Sequence, residues 1–409
     1  MANISPFKAL RPDPEMAKEV ASRPYDVLNS EEARVEAAGN PFSFLHVTKA
    51  EIDLPVDINP YSALIYEKAK ENLEQLQEKK ILIREQTPCY YIYRLIMNGR
   101  SQTGLVCGSS VADYNDGTIK KHEFTRPDKE QDRINHIKTT GAQTGNVFLA
   151  YNNVDGIDAI ISGWMEKEEP VYDFIADDRI GHTVWIINKP ETIDTITTLF
   201  KEKVPCTYIA DGHHRAASAA KVKDALGKDA GPSADYFLTT LFPASQLEIM
   251  DYNRVIKDLN GLSKEEFISA LRDDFMVAYC GEPVKPSSLH EFGMYLEGEW
   301  YLLHAIENTY TEDPIGILDI TILSNNVLDK ILDIKDQRTD KRIDFVGGIR
   351  GLGELQKRVD SGEMKIAFSL YPVSIAQLFA IADAGNVMPP KSTWFEPKLR
   401  DGLLTHLIY

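Results

Sequence analysis

The pattern of apolar positions along the chain gives the first elements. Between Tyr61 and Lys80, apolar residues recur at Tyr61, Leu64, Ile65, Ala69, Leu73 and Leu76 with charges between them, the spacing of an amphipathic helix. Cys89–Met97 and Gln102–Val111 are rich in β-branched and aromatic residues, and Asn98-Gly99 lies between them. Both turn residues tolerate a positive φ, so this stretch predicts a β-hairpin. Val184–Asn188 and Pro205–Ile209 read as further strands. Arg215–Leu226, alanine-rich and followed by Gly227, reads as a helix. Downstream, Asp344–Val346 predicts a strand, Leu352–Val359 a helix, Ala367–Tyr371 a strand, and Ile375–Ala384 a helix stopped by Gly385. The chain up to Pro60 is crowded with turn formers and predicts a loop-heavy entry. This alternation predicts a mixed α/β or α+β fold. No repeat, low-complexity tract or flexible linker interrupts it. One tightly packed unit spanning residues 1–409 is expected, with lobes at 1–200 and 201–409.

Composition narrows the classes. Hydrophobic residues make up 43% of the chain, which excludes disorder as its main state. Acidic residues outnumber basic ones 62 to 45, a net charge of −17. Such a surface repels nucleic acid and anionic membranes, since phosphate backbones need a basic footprint. It leaves room for a small anion held by a few local cations. No window approaches the ~18 consecutive apolar residues of a spanning helix. Cys89, Cys107, Cys206 and Cys280 are scattered with no Cys-x-x-Cys pair, and the first residues do not read as a secretory signal. A cytoplasmic protein with reduced thiols is the expectation.

Candidate chemistry concentrates in three segments. In Tyr208-Ile209-Ala210-Asp211-Gly212-His213-His214-Arg215, a β-run stops at an acidic residue and a glycine, and a helix begins at once. Backbone N–H groups at a helix start are unpaired and carry the positive end of the dipole, which suits a phosphate. Gly212 lets a ligand approach the backbone, while His213, His214 and Arg215 add donors. Asp211 can cap the helix, fix a histidine tautomer or take a Mg²⁺ ion. The plainer reading makes Asp211 a cap and leaves the histidines solvated. No third ligand at short spacing completes a zinc site. This helix start is expected to face solvent, so that His213 and Arg215 can be replaced without unfolding the chain.

The second segment is Lys121-His122-Glu123-Phe124-Thr125-Arg126-Pro127-Asp128, continuing through Asp132-Arg133 to Asn146. Glu123 beside His122 suits a general base, and Arg126 and Arg133 suit neutralisation of phosphoryl charge. The plainer reading is a solvated, salt-bridged helix start. The third segment, Met388-Pro389-Pro390-Lys391-Ser392-Thr393-Trp394-Phe395-Glu396-Pro397-Lys398, presents a charge and two hydroxyls from Lys391, Ser392 and Thr393. It lacks the glycines of a P-loop. Gly347-Gly348-Ile349-Arg350-Gly351 is another strand–glycine–helix turn, as easily a tight turn as an anion site. Neither Gly-x-Ser-x-Gly nor His-Glu-x-x-His occurs, so serine hydrolases and zinc proteases lack their signatures.

Together, Arg23-Pro24-Tyr25-Asp26-Val27, Asn40-Pro41-Phe42-Ser43-Phe44-Leu45-His46, His122-Glu123, Asp132-Arg133, Asp211-Gly212-His213-His214-Arg215 and Pro389-Pro390-Lys391-Ser392-Thr393 resemble the domain-of-unknown-function 1015 family over nearly the whole chain. The Asp-Gly-His-His-Arg turn also resembles the phosphate-binding turn of the partition-protein-B, sulfiredoxin and free-serine-kinase superfamily. That resemblance implies an α+β phosphate-binding core inside a larger chain, with Asp211, Gly212, His213, His214 and Arg215 on phosphate and Glu123 as base. Sulfiredoxin chemistry needs a cysteine in the turn, and none is there. The family's association with the phosphorylated serine pathway implies serine or phosphoserine as substrate. The expected function is dephosphorylation of phosphoserine, or serine phosphorylation from a nucleotide or other donor, with Mg²⁺ as a candidate cofactor. The rival is a nucleotide-binding regulator of the partition-protein-B type. The expected partner is a small phosphorylated molecule, with neither nucleic acid nor membrane, and a homo-oligomer is compatible with all of this.

Overall fold

The computed structural model describes residues 1–409, which form two compact units. One is Met1–Leu247 with Pro397–Tyr409, and the other is Glu248–Glu396. The boundary expected at residue 200 falls inside the first unit instead. The reason is that Thr207–Asp211 and Tyr236–Pro243 are interior strands of that unit's sheet. The fold is mixed α+β, and no helix is long and apolar enough to cross a membrane.

The first unit is built on a nine-stranded sheet. Its order is Ile119–Lys120, Thr207–Asp211, Val147–Tyr151, Tyr236–Pro243, Arg100–Ser110, Tyr90–Met97, Gly181–Ile187 and Tyr172–Ile175, with Ile4–Ser5 paired to Arg100–Ser110. The Asn98-Gly99 hairpin forms as predicted, with φ of 52° and 78° at its two turn residues. Thr207–Asp211 runs parallel to Ile119–Lys120 and antiparallel to Val147–Tyr151, which itself runs parallel to Tyr236–Pro243. Helices Asp155–Lys167 and Pro190–Lys203 bury Ile157, Ile161, Ile196 and Phe200 against sheet residues such as Ile92, Leu149 and Trp185.

Two readings of the sequence change here. The entry carries helices Ala17–Val20, Ser30–Ala37 and Leu45–Thr48, of four to eight residues, too short to declare a period. Asn29 and Glu32 start the longest of them with a capping box. The polar stretch after Lys120 contains a helix, Pro127–Thr140, opened by Pro127 and closed by Gly141 at φ 68°. It packs along His213–Leu226, whose Ala216, Ala217, Ser218, Ala219 and Ala220 are all buried. Small side chains allow this close approach. They also leave the helix with little contrast between its faces.

The last residues return to the first unit. Thr405 bridges to Leu10, Asp401 to Ser22, and His406–Leu407 pairs with Ala142–Gln143. The second unit holds a six-stranded sheet in which every pairing is antiparallel. Its order is Phe275–Cys280, Glu299–Ala305, Glu291–Leu296, Ile366–Leu370, Tyr252–Ile256 and Ile343–Gly347, over a core that includes Phe267, Phe292, Leu303 and Phe368.

Candidate functional site

The strand Thr207–Asp211 ends at a register shift between Ile209 and Asp211, and only Gly212 separates it from the helix His213–Leu226. Gly212 makes the turn at φ 97°, and a Cβ there would lie 3.1 Å from Arg215 Nε and 3.4 Å from the Val147 Cα. Only glycine fits this position. Having no side chain, it cannot cap the helix. The first amides, those of His213, His214 and Arg215, therefore have no intrahelical acceptor and no N-cap side chain.

Asp211 does not cap the helix. Its carboxylate accepts a hydrogen bond from Lys398 Nζ at 3.0 Å and lies 3.6 Å from the Arg215 guanidinium. Burial pushes its pKa up, but Lys398 and then Arg215 outweigh that and hold it well below the usual carboxylate range. Arg215 donates to the Asn146 carbonyl and, at 3.2 Å, to Asp26 Oδ2. Burial disfavours its charge, while Asp26 and Asp211 more than restore it.

The histidines are not solvated cations. His213 is 5% exposed and Arg215 9%, so the expectation of a solvent-facing pair is corrected. The His122 ring packs on His213, while Asn146 and Asp26 hold the Arg215 guanidinium. His213 Nε2 accepts the His122 backbone N–H at 3.4 Å, which puts its proton on Nδ1, 3.6 Å from Glu123 Oε2. The His122 and His213 rings meet edge to face with centroids 4.6 Å apart. Burial, with His122 as the next cause, holds His213 well below its ordinary pKa, and burial pushes His122 down to about 4. His214 Nε2 accepts the Arg126 backbone N–H at 2.9 Å, and burial lowers its pKa too. All three rings are neutral at physiological pH. They contribute dipoles and fixed hydrogen bonds rather than positive charge.

The remaining expected residues divide. Glu123, its side chain 49% exposed, stands at the mouth of the site against His213. Phe124 beside it is exposed. Arg126 contributes its N–H, while its guanidinium pairs with Asp128 at 2.9 Å in solvent. Arg133 was expected to neutralise phosphoryl charge, but its guanidinium is already engaged. It pairs with Asp132 at 2.7 Å and lies 4.0 Å over the Tyr25 ring. Lys391, Ser392 and Thr393 belong to the second unit.

Sequence reasoning gave no role to Lys398, which closes the third segment, to Tyr25 as a support for Arg133, or to Asp401. Tyr25 and Arg215 line a cavity of about 20 Å³ with Arg133, His136, Gln143 and Thr144, room for one water molecule. Asp401 accepts the Tyr25 N–H at 3.4 Å, and burial pushes its carboxyl up to about 7 against the pull of Arg215. The only advance signal was the unusual Arg23-Pro24-Tyr25-Asp26-Val27 stretch. No group of three or more His, Cys, Asp or Glu side chains is placed to hold a metal ion.

A family model described as "Protein of unknown function (DUF1015)" matches residues 4–321. The chain belongs to that family. Among solved structures it is similar to a free serine kinase mutant in complex with AMP, at 12% identity and a TM-score of 0.38, covering 74% of this chain and 91% of that one. It is also similar to a conserved hypothetical protein from Pyrococcus furiosus, at 14% identity and TM-score 0.37, covering 75% and 97%. SbnI from Staphylococcus aureus, truncated at its C-terminus, matches at 11% identity and TM-score 0.33, covering 74% and 87%. No curated protein matches the chain.

Proposed function

We propose that the chain is a phosphoryl-transfer enzyme that seats a phosphate at the start of helix His213–Leu226 and acts on serine or phosphoserine. The observation carrying this reading is the junction at Gly212. A bare glycine opens an uncapped helix start, two cations flank it, and a carboxylate stands 3.6 Å from a neutral histidine. Helix-start amides and the His214 Nδ1–H supply donors for phosphate oxygens. Arg215 and Lys398 are held by Asp211, which fixes their positions before any ligand arrives. The serine part of the reading rests on the resemblance of the sequence motifs.

Glu123 is the base in this proposal. In the kinase direction the serine hydroxyl attacks phosphorus, its proton passes to the Glu123 carboxylate, and the donor's bridging oxygen leaves with its electron pair. In hydrolysis, water replaces the serine hydroxyl as nucleophile and gives its proton to Glu123, while the serine oxygen leaves with the P–O electron pair and takes up a proton from Glu123 or solvent. Both directions need the same positioning and charge neutralisation. The His213 Nδ1–H orients the Glu123 carboxylate in either case. The side chains here do not fit a metal site of their own, because Asp211 is already engaged by Lys398 and Arg215. A small phosphorylated molecule remains the proposed partner, held by the local cations Arg215 and Lys398 within an acidic chain.

The test incubates the full chain with phosphoserine, and with serine plus ATP or ADP, with and without Mg²⁺, following serine, phosphoserine and free phosphate. Turnover is expected in at least one arm. Glu123→Gln is expected to reduce it about a hundredfold while leaving the melting temperature in place, since the side chain is half exposed. No turnover in any arm sinks the reading. Saturable nucleotide binding without turnover would replace it with the regulator.

A further inference from the structure

The six-stranded sheet of the second unit ends on Phe275–Cys280, and no strand pairs with its outer side. The register fixes which backbone groups lie there. The Ile306 N–H donates to the Asp274 carbonyl, so bonded pairs recur from that point at every second residue. On the other side of the same neighbour, the Ala305 N–H donates to the His290 carbonyl, which confirms the phase. Met276, Ala278 and Cys280 therefore turn their backbone groups towards His304, Leu302 and Trp300. The N–H and C=O groups of Phe275, Val277 and Tyr279 point away from the sheet, and none has a backbone partner on that side.

Sheets commonly guard such an edge with a charge, a proline or a bulge. The opposite edge does so. Its strand, Ile343–Gly347, carries Asp344, which pairs with Arg358 at 2.7 Å. Phe275-Met276-Val277-Ala278-Tyr279-Cys280 has no charge, proline, glycine or register shift. Met276 is 60% exposed and Tyr279 65%, although Phe275 and Val277 pack in the core and hold the strand in place. An apolar strand with unpaired amides along its edge is a template for a further strand.

We propose that this edge is an interface between two copies of the chain, paired antiparallel about a twofold axis at Val277 into one continuous sheet. The inference does not depend on the reading of the histidine turn. Only the Val277-centred register gives every outward residue a partner: Phe275 meets Tyr279 of the second copy, and Val277 meets Val277. Met276 then lies beside Ala278 of the second copy, and both exposed side chains are covered. Charge favours the same register. It brings Arg272, just before the strand, opposite Glu282, just after it, at both ends of the interface. Both residues are exposed, and neither forms an ion pair within the chain. Asp273 and Asp274 fall opposite Gly281 and Cys280, so no two acids are opposed.

Sedimentation velocity of the full chain over a concentration series tests the interface, and a monomer–dimer equilibrium is expected. Tyr279→Pro removes an outward N–H and no bond to Glu299–Ala305, so a folded monomer is expected. Arg272→Glu alone, or Glu282→Arg alone, opposes like charges at both ends and is expected to weaken the dimer about tenfold. Combining the two exchanges the signs and is expected to restore wild-type affinity. If Tyr279→Pro fails to fold, the charge variants decide, since both side chains are exposed. A chain that stays monomeric at every concentration leaves the edge to a foreign strand and overturns the dimer. A dimer unchanged in all these variants overturns this edge as its interface. Loss in the single charge variants without recovery in the double overturns the register.

Discussion

Arg215 and Arg254 are both buried arginines, and the two units treat them in opposite ways. Arg215 has Asp26 at 3.2 Å and Asp211 at 3.6 Å, and its charge is favoured in spite of burial. Arg254 has backbone carbonyls and aromatic faces only, and burial prevails. The first unit repeats its solution throughout the site: Lys398 with Asp211, Arg133 with Asp132, Arg126 with Asp128. Cations balanced in this way can be held rigidly without a ligand. A cation left to peptide dipoles has only backbone carbonyls to offset its burial. The contrast separates a guanidinium balanced by acids from one that holds a turn in place.

The most direct way to break this comparison is to remove each guanidinium. Arg215→Met strips the counter-charge from Asp211 and Asp26, and breaking a buried pair is expected to cost about 3–5 kcal/mol. Arg254→Met orphans no carboxylate and is expected to cost about 1–3 kcal/mol, the penalty for buried carbonyls that lose a donor. Urea unfolding of the two variants measures both. A larger loss for Arg254→Met would mean that its carbonyl partners stabilise the chain more than two carboxylates do.

This difference was only half legible in the sequence. The Asp211–Arg215 turn announced itself because strand, glycine and helix start are contiguous, and a local signal suffices for a local structure. Lys398 did not, since it reaches Asp211 across 187 residues when the chain returns to its first unit. The burial of His213 was equally hidden. Alanines fill the helix, so no apolar stripe marks an inner face, and the ring packed on His213 is that of His122, a polar residue 91 positions earlier. Arg254 stands in a five-residue strand, Tyr-Asn-Arg-Val-Ile, whose polar members gave no sign that they were fully buried.

Asp401 sharpens the comparison from the acidic side, because burial raises its carboxyl to about 7 in spite of Arg215. Its unfolded value lies near ~3.9, so between those two values the unfolded state gives up its proton first. The folded state then binds more protons, and stability falls as pH rises from about 4 to 7. His122 works in the opposite sense: its folded value, about 4, lies below the unfolded ~6.5, so it loses stability as pH falls through that window. The two terms partly cancel in the wild type. Asp401→Asn removes one of them, and its stability advantage over wild type is expected to grow by roughly 2–4 kcal/mol between pH 4 and pH 7. Chemical denaturation at a series of pH values reads the gap. A gap independent of pH would show that Asp401 is ionised throughout and fully paired with Arg215.

The smallest effect is expected at Arg126, where the site uses the backbone and not the side chain. Its guanidinium pairs with Asp128 in solvent, with 68% and 44% of the two side chains exposed. Water and salt replace such a pair at little cost. Its N–H donates to His214 Nε2 at 2.9 Å and fixes which ring nitrogen carries the proton. Arg126→Ala keeps that N–H, so the melting temperature and any activity of the chain are expected to stay at wild-type values in low and high salt alike. Arg126→Pro removes the same N–H and releases the His214 ring, which frees Nε2 to take a proton. The His214 ring resonances, followed by NMR against pH, should then titrate at a higher pH than in Arg126→Ala. If the alanine variant shifts them as far as the proline variant does, the exposed charge sets the state of His214. In that case the balance of cations and acids, rather than the peptide, organises this edge of the site.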